Sequence, residues 1–248
     1  MCVPEALVHL RQAVSAIEAK RPSATSLIFG IDSLDARLAD KGLRIDALHE
    51  AAPIGSDWGD DAPAMLFMAG IAARNPGPVL WIVRRRDLFA PALSQVGLGP
   101  ERLIHAEARD DAELLAAMED ALRHRGLAAV IGEVRKASLT ATRRLQLAAE
   151  GGTTLALLMH RPARLGDDPL ALPSAAMTRW RIGSAPSSPL PVAGVGRAQW
   201  QVELVRQRGG DPFSLTVEAC DETGRCALAA ELVNRPDHAR RAGSRAAA

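Results

Sequence analysis

Two apolar rhythms divide the chain. Through residues 79–159, runs that are apolar throughout alternate with segments whose apolar positions return every three or four residues. Residues 79–83 (Val-Leu-Trp-Ile-Val) and 153–159 have the continuous pattern of strands buried on both faces, and 102–106 and 127–131 read as strands of the same set. Between them, Leu114, Leu115, Met118 and Leu122 share one helical face. Asp110 and Asp111 stand at the start of that helix, and Arg123-His124-Arg125 before Gly126 suits its end. A short helix over 89–96 is broken by Gly97 and Gly99-Pro100, and one over 140–150 is ended by Gly151-Gly152. Strands alternating with helices predict an α/β fold with a parallel, doubly wound sheet.

Upstream, residues 4–20 read as a helix with Pro4 in its first turn and one narrow seam of Leu7, Leu10, Val14 and Ile17. That seam suits docking on its own domain or on a partner. A short helix over 29–38, capped at Asp32 or Ser33, leads to a strand over 43–48, a glycine-containing loop over 50–62 and an apolar helix over 62–73. Downstream the second rhythm takes over. A loop rich in Pro, Gly and Asp covers 161–173. Trp200, Val202 and Leu204, and then Phe213, Leu215, Val217 and Ala219, alternate with polar residues. These predict antiparallel strands with one solvated face, added to the edge of the parallel sheet. A loop over 184–196 joins strands near Trp180 and Trp200, and 235–248, with Arg240, Arg241 and Arg245, reads as a disordered basic tail.

Composition narrows the function classes only modestly. The chain has 248 residues, a formal net charge of +1 and just three lysines, Lys20, Lys41 and Lys136, among 30 basic residues. A balanced charge means that nucleic-acid contact would need a local patch of cations. Cys2, Cys220 and Cys226 fit neither a disulfide framework nor a zinc site, although the last two could face each other across a hairpin. Glu5 and Arg11 interrupt the N-terminal apolar residues, so no signal peptide is read there, and no run approaches the length needed to span a membrane. A cytoplasmic protein is expected.

The loop over 50–62 sits where a phosphate-binding loop would sit. Such a loop reads G-x-x-x-x-G-K-[ST], with backbone N–H groups and a lysine for the phosphates and a hydroxyl for magnesium. Here Gly59 is followed by Asp60 and Asp61, and Gly55 is one residue too close. None of the three lysines follows a glycine and precedes Ser or Thr, so no shift of register restores the motif. Two readings stand: a nucleotide site that has been lost, or an ordinary strand-to-helix loop with Asp60 and Asp61 capping the helix.

Longer stretches carry a resemblance. Phe29-Gly-Ile-Asp-Ser-Leu-Asp, the loop, Val79-Leu-Trp-Ile-Val, Leu88-Phe-Ala-Pro and Val96-Gly-Leu-Gly-Pro-Glu-Arg-Leu together resemble the core of RecA. Ala128-Ala-Val-Ile-Gly-Glu-Val, the helix from Leu139 to Glu150, Pro173-Ser-Ala-Ala-Met-Thr-Arg-Trp-Arg, Gly194-Val-Gly-Arg-Ala-Gln-Trp and Val202-Glu-Leu-Val-Arg make the chain most similar, within that superfamily, to the ImuA family. The resemblance covers roughly residues 25–232. The N-terminal helix and the tail carry little of it, so three parts are expected: an amphipathic helix over 1–22, a RecA-like core over 23–234 with a degenerate P-loop, and the basic tail over 235–248.

Three departures from the catalytic pattern follow. Asp60 and Asp61 replace the P-loop lysine and hydroxyl. Gly132 stands where a magnesium-holding aspartate would fall, with Glu133 one position out and on the opposite side of the strand. Arg84-Arg85-Arg86 stands where a glutamate would orient the attacking water. Hydrolysis needs all three groups, so a pseudo-ATPase without cofactor or metal is implied. The arginine run lies at the carboxyl end of a parallel strand, the usual ligand edge of such sheets. It is read either as a contact for DNA phosphate or an acidic partner, as are Arg240 and Arg241, or as a solvated turn pairing with Asp87 and other carboxylates. Gln146-Leu147 is too weak for a sliding-clamp motif, and His105, His124 and His160 have no metal spacing.

ImuA proteins belong to bacterial damage-inducible mutagenesis cassettes and serve translesion synthesis. The resemblance therefore implies an adaptor that contacts ImuB, a catalytically defective relative of Y-family polymerases, and RecA, and serves an error-prone C-family polymerase. DNA would be met directly or through those partners. An alternative from another class is a SulA-like cell-division inhibitor, also RecA-like without a nucleotide site.

Overall fold

The computed structural model describes residues 25–55, 58–161, 168–188 and 194–228. The expected helix over 4–20, Cys2 and the tail with Arg240 and Arg241 lie outside the described residues.

Strands β1 (Ser26–Leu27) and β2 (Leu43–Arg44) pair antiparallel as a small ribbon around helix α1 (Asp32–Asp35). The main sheet is built from β3 (Leu48–Pro53), β4 (Val79–Val83), β5 (Leu103–Glu107), β6 (Ala129–Val134), β7 (Leu155–His160), β8 (Thr178–Ala185), β9 (Gln199–Gln207), β10 (Phe213–Glu218) and β11 (Ala227–Leu228). Its order is β11-β10-β9-β8-β3-β7-β6-β4-β5. From β8 to β5 every pairing is parallel, and from β8 outward to β11 every pairing is antiparallel. The α/β class and the antiparallel edge follow the two apolar rhythms of the sequence.

Helix α2 (Trp58–Ala73) covers one face, with the short α3 (Ala90–Gln95) beside it, and α4 (Asp111–His124) and α5 (Leu139–Ala149) cover the other. Alternation within each strand feeds both cores: Ala129 and Ile131 of β6 face α2, whereas Val130 and Val134 face α4 and α5. Phe67 of α2 packs against Trp180 of β8 and edge-on to Trp200 of β9, with centroids 5.7 and 6.5 Å away. Those aromatic contacts fix α2, and the loop that enters it, against the point where the sheet changes from parallel to antiparallel.

Several boundaries depart from the sequence reading. The expected strand over 43–48 is two elements: Leu43 and Arg44 belong to the ribbon, and the central strand is β3. Glu50 to Pro53, read as loop, are therefore strand. Ala51 and Ala52 lack strand propensity, but they are fully buried between β7 and β8, and that packing overrides it. Helix α2 starts at Trp58, a turn before the expected Ala62, and takes Pro63 inside it. Neither Asp32 nor Ser33 caps α1. Asp35 does the equivalent work by reaching back to accept from the N–H groups of Phe29, Gly30 and Ile31 at 2.8, 2.8 and 3.2 Å. The remaining caps follow expectation at Asp110, which accepts from the Glu113 N–H, and the expected hairpin pair is present, with the thiols of Cys220 and Cys226 3.1 Å apart. Among the described residues no helix is long and apolar enough to cross a membrane.

Candidate functional site

The carboxyl ends of β3, β4, β6 and β7 converge beside the first turn of α2, and their side chains form one ionic cluster. Arg161, the residue after β7, is its centre. Its Nη2 and Nε donate to Asp61 of α2 at 2.9 and 3.2 Å, and its Nη1 donates to Asp87 and to Glu133, each at 2.9 Å. The Arg161 N–H donates to the Val134 carbonyl, which holds the residue against the end of β6. Glu133 has a second partner, the indole Nε1 of Trp81, at 2.7 Å. Burial pushes the Glu133 carboxyl above its ordinary range, even with the Arg161 charge and the two hydrogen bonds pulling it down. Burial also works against the Arg161 cation, but Asp87, Glu133 and Asp61 together hold its pKa above the ordinary arginine value. The guanidinium is thus committed to its three carboxylates.

Asp60 and Asp61 do not cap α2. They lie inside its first turn, and each is used elsewhere: Asp60 accepts from the N–H of Gly55 at 3.1 Å and from that of Ser184 at 3.2 Å, tying the loop to the end of β8. Gly59 lies in the same turn.

Glu133 is on the opposite side of β6 from Gly132, as its position requires, but that side is the one α2 covers. It is the acidic group facing the loop. Gly132 faces α4, where an added Cβ would run into Met118 and Leu114. An aspartate at 132 would therefore need Met118 and Leu114 to give way.

The arginine run is divided. Arg84, half-buried, donates from Nη1 to Asp111 at the start of α4 at 2.9 Å, while its Nε is buried without a hydrogen-bond partner. Arg86 is exposed and pairs with Glu107 at 2.8 Å. Arg85 is exposed and makes no hydrogen bond or salt bridge among the described residues. Asp87, the partner expected for this turn, is taken by Arg161. Asp111 also accepts from the N–H groups of Arg135 and Lys136, which brings two more cations to the same rim. Sequence reasoning missed Arg161 and Arg135, because each acquires its role from strands far away in the chain.

The histidines are dispersed. His105 is exposed on β5, His124 ends α4, and His160 is buried on β7. Gln146 is buried and its Oε1 accepts from the Leu48 N–H at 3.0 Å, so its side chain is engaged in holding α5 to β3. Among the described residues no group of three His, Cys, Asp or Glu could hold a metal ion.

No protein-family model matches the chain. Protein ImuA of Caulobacter vibrioides, in strains NA1000 / CB15N and ATCC 19089 / CIP 103742 / CB 15, is 42% identical over 202 residues, covering 78% of this chain and 83% of the relative. The chain belongs to the ImuA family. Among solved structures, that of the RadB recombinase is similar with a TM-score of 0.54 at 15% identity, covering 82% of this chain and 99% of RadB. At that identity the likeness speaks for the RecA-like fold alone.

Proposed function

We propose that this ImuA-family protein is a non-catalytic accessory factor of damage-induced, SOS-type translesion DNA synthesis in the cytoplasm. It bridges ImuB, together with RecA, to an error-prone C-family polymerase. One observation carries the non-catalytic half. The edge where a RecA-like ATPase clamps triphosphate and magnesium is occupied by the protein's own Arg161, neutralised by Asp61, Asp87 and Glu133. A triphosphate would meet carboxylates where it needs a lysine, and magnesium would have to compete with a bound guanidinium for the same oxygens. The residues present do not fit that ligand. The scaffold role is supported by family membership and by the rim of cations, of which Arg84, Arg85 and Arg86, with Arg240 and Arg241 of the tail, are the contacts for DNA or an acidic partner surface.

The test has two parts. The purified protein should show no DNA-stimulated ATP turnover, and it should co-purify with ImuB. Turnover that disappears when Asp61 or Gly59 is changed would refute the pseudo-ATPase, and capture of the division protein FtsZ instead of ImuB would favour the SulA-like alternative.

A further inference from the structure

The loops leaving β4 and β6 place Arg84, Arg85 and Arg135 around a cleft of about 50 Å³ over the strand ends, with Glu133 and Arg161 on its far wall. Arg84 lines this cleft, and its Nε is a buried donor without a hydrogen-bond partner. Arg85 and Arg135 are exposed, and neither side chain has a hydrogen bond or salt bridge among the described residues. The nearby carboxylates are engaged: Asp111 by Arg84 and two backbone N–H groups, Glu133 by Arg161 and Trp81. The cleft therefore presents unspent donors and positive charge, and an oxyanion is the ligand class that satisfies both. Its volume suits one phosphate group and excludes a base.

Glu133 and Arg161 also form the wall of a second pocket, about 260 Å³, lined on its apolar side by Met65, Leu66, Phe89 and Met159. Phe89 is 62% exposed, so the ring that lines this pocket is open to a flat partner. Asp61 and Asp87 line this pocket as well, so a phosphate is repelled from it, whereas a base can lie on the apolar surface and donate an N–H, such as the N3–H of thymine, to the carboxylates.

We infer that this rim binds single-stranded DNA, with one backbone phosphate in the cleft of Arg84, Arg85 and Arg135 and a neighbouring base against Phe89. The inference rests on the DNA half of the contact proposed above and redraws it: Arg135 joins the site, and Arg86, held outward by Glu107, leaves it. A single strand is required because only an unpaired base can bring its face to the ring, whereas a duplex keeps its bases stacked inside.

Fluorescence anisotropy of a labelled oligodeoxythymidine with the full-length protein tests it across a salt series. Wild type should bind, with a duplex competing weakly and ATP or inorganic phosphate hardly at all. The R85A/R135A variant should weaken binding at least tenfold and reduce the salt slope by about 0.7, for the one phosphate the cleft holds. F89A should weaken binding roughly fivefold or more and leave the salt slope unchanged. Should the double variant melt early, the single charge reversal R135E asks the same question. Absence of wild-type binding, an unchanged slope in R85A/R135A, an unaffected F89A, or equal affinity for duplex overturns the site. Loss of the ImuB complex in R85A/R135A with DNA affinity intact would assign these arginines to an acidic protein surface, sinking the DNA site while the adaptor role stands. A protein that binds DNA as described but never ImuB would do the reverse.

Discussion

Two arginine–carboxylate clusters begin from adjacent residues of the chain, His160 and Arg161, and they have opposite characters. One is closed. Glu50 of β3 has 0% exposure; it accepts from Arg179 Nε at 2.7 Å and from Ser174 Oγ at 2.5 Å, with His160 Nε2 3.6 Å away. The other is the Arg161 cluster, whose Glu133 is nearly as buried but whose Asp61 and Asp87 reach toward solvent. Their carboxyls move in opposite directions. Burial alone would raise Glu50, but His160, Arg179 and Ser174 bring it below its ordinary value, whereas burial wins at Glu133. At 3.6 Å the His160 ring is beyond hydrogen-bond reach, so the hydrogen bonds to Glu50 come from Arg179 and Ser174. The closed cluster is architecture that stitches β3, β7 and β8 together. The open one lies at the ligand edge of the sheet, and there the cations around it are only partly spent.

Breaking the closed cluster should have the largest effect. Glu50→Ala leaves Arg179 buried without its partner and should cost about 3–5 kcal/mol of unfolding free energy, read by chemical denaturation. A loss below about 1 kcal/mol would show that Glu50 is not needed to hold the three strands. The same cluster sets a pH dependence. Because Glu50 is lowered from 4.5 in the fold, its contribution is present above that value and is lost as pH falls through the folded pKa. Glu133 is raised, so its sign is reversed. Its charge is penalised in the folded state above its folded pKa, and acidification toward 4.5 relieves the penalty. Stability measured from about pH 7 to pH 3 should therefore lose its steepest acid limb in Glu50→Gln but not in Glu133→Gln.

Arg161→Ala comes next. It strands the Glu133 charge, which keeps only Trp81, while Asp61 and Asp87 can turn to water. The cost should be about 3 kcal/mol, the low end for opening a buried pair, with no gain of ATP turnover. An unchanged melting temperature would mean that the cluster is as loosely held as an ordinary surface pair, and the contrast with Glu50 would fall.

How much of this was legible in the sequence depends on range. Val79-Leu-Trp-Ile-Val and the alternation at Trp200, Val202 and Leu204 report burial on two faces or one, a local property, and they placed the strands and their sense. The β3 boundary was not legible, since Ala51, Ala52 and Pro53 carry no strand signal and become strand only by pairing with β8, and Ala51 also with β7, each 100 or more residues away in the chain. The position of β8, parallel to β3 yet antiparallel to β9, is likewise set by packing rather than by its own pattern. Of the site, Asp60, Asp61, Gly132 and the arginine run were visible as departures from a motif. Arg161 was not, because nothing about an arginine opening a polar loop says that three carboxylates from distant segments will meet it.

The smallest expected effect is the most discriminating within the arginine run. Read from sequence, Arg84, Arg85 and Arg86 are equivalent; in the fold they are a half-buried anchor, an unspent cation and one half of an exposed pair. The side chains of Arg86 and Glu107 are 82% and 45% exposed, so water and salt screen their 2.8 Å contact and little stability depends on it. Arg86→Ala should shift unfolding free energy by less than about 0.5 kcal/mol and leave oligodeoxythymidine affinity and its salt slope at wild-type values. If Arg86→Ala instead weakened binding as much as Arg85→Ala, the phosphate would be tracking the whole run along the surface, and the cleft that includes Arg135 would lose its claim to hold it.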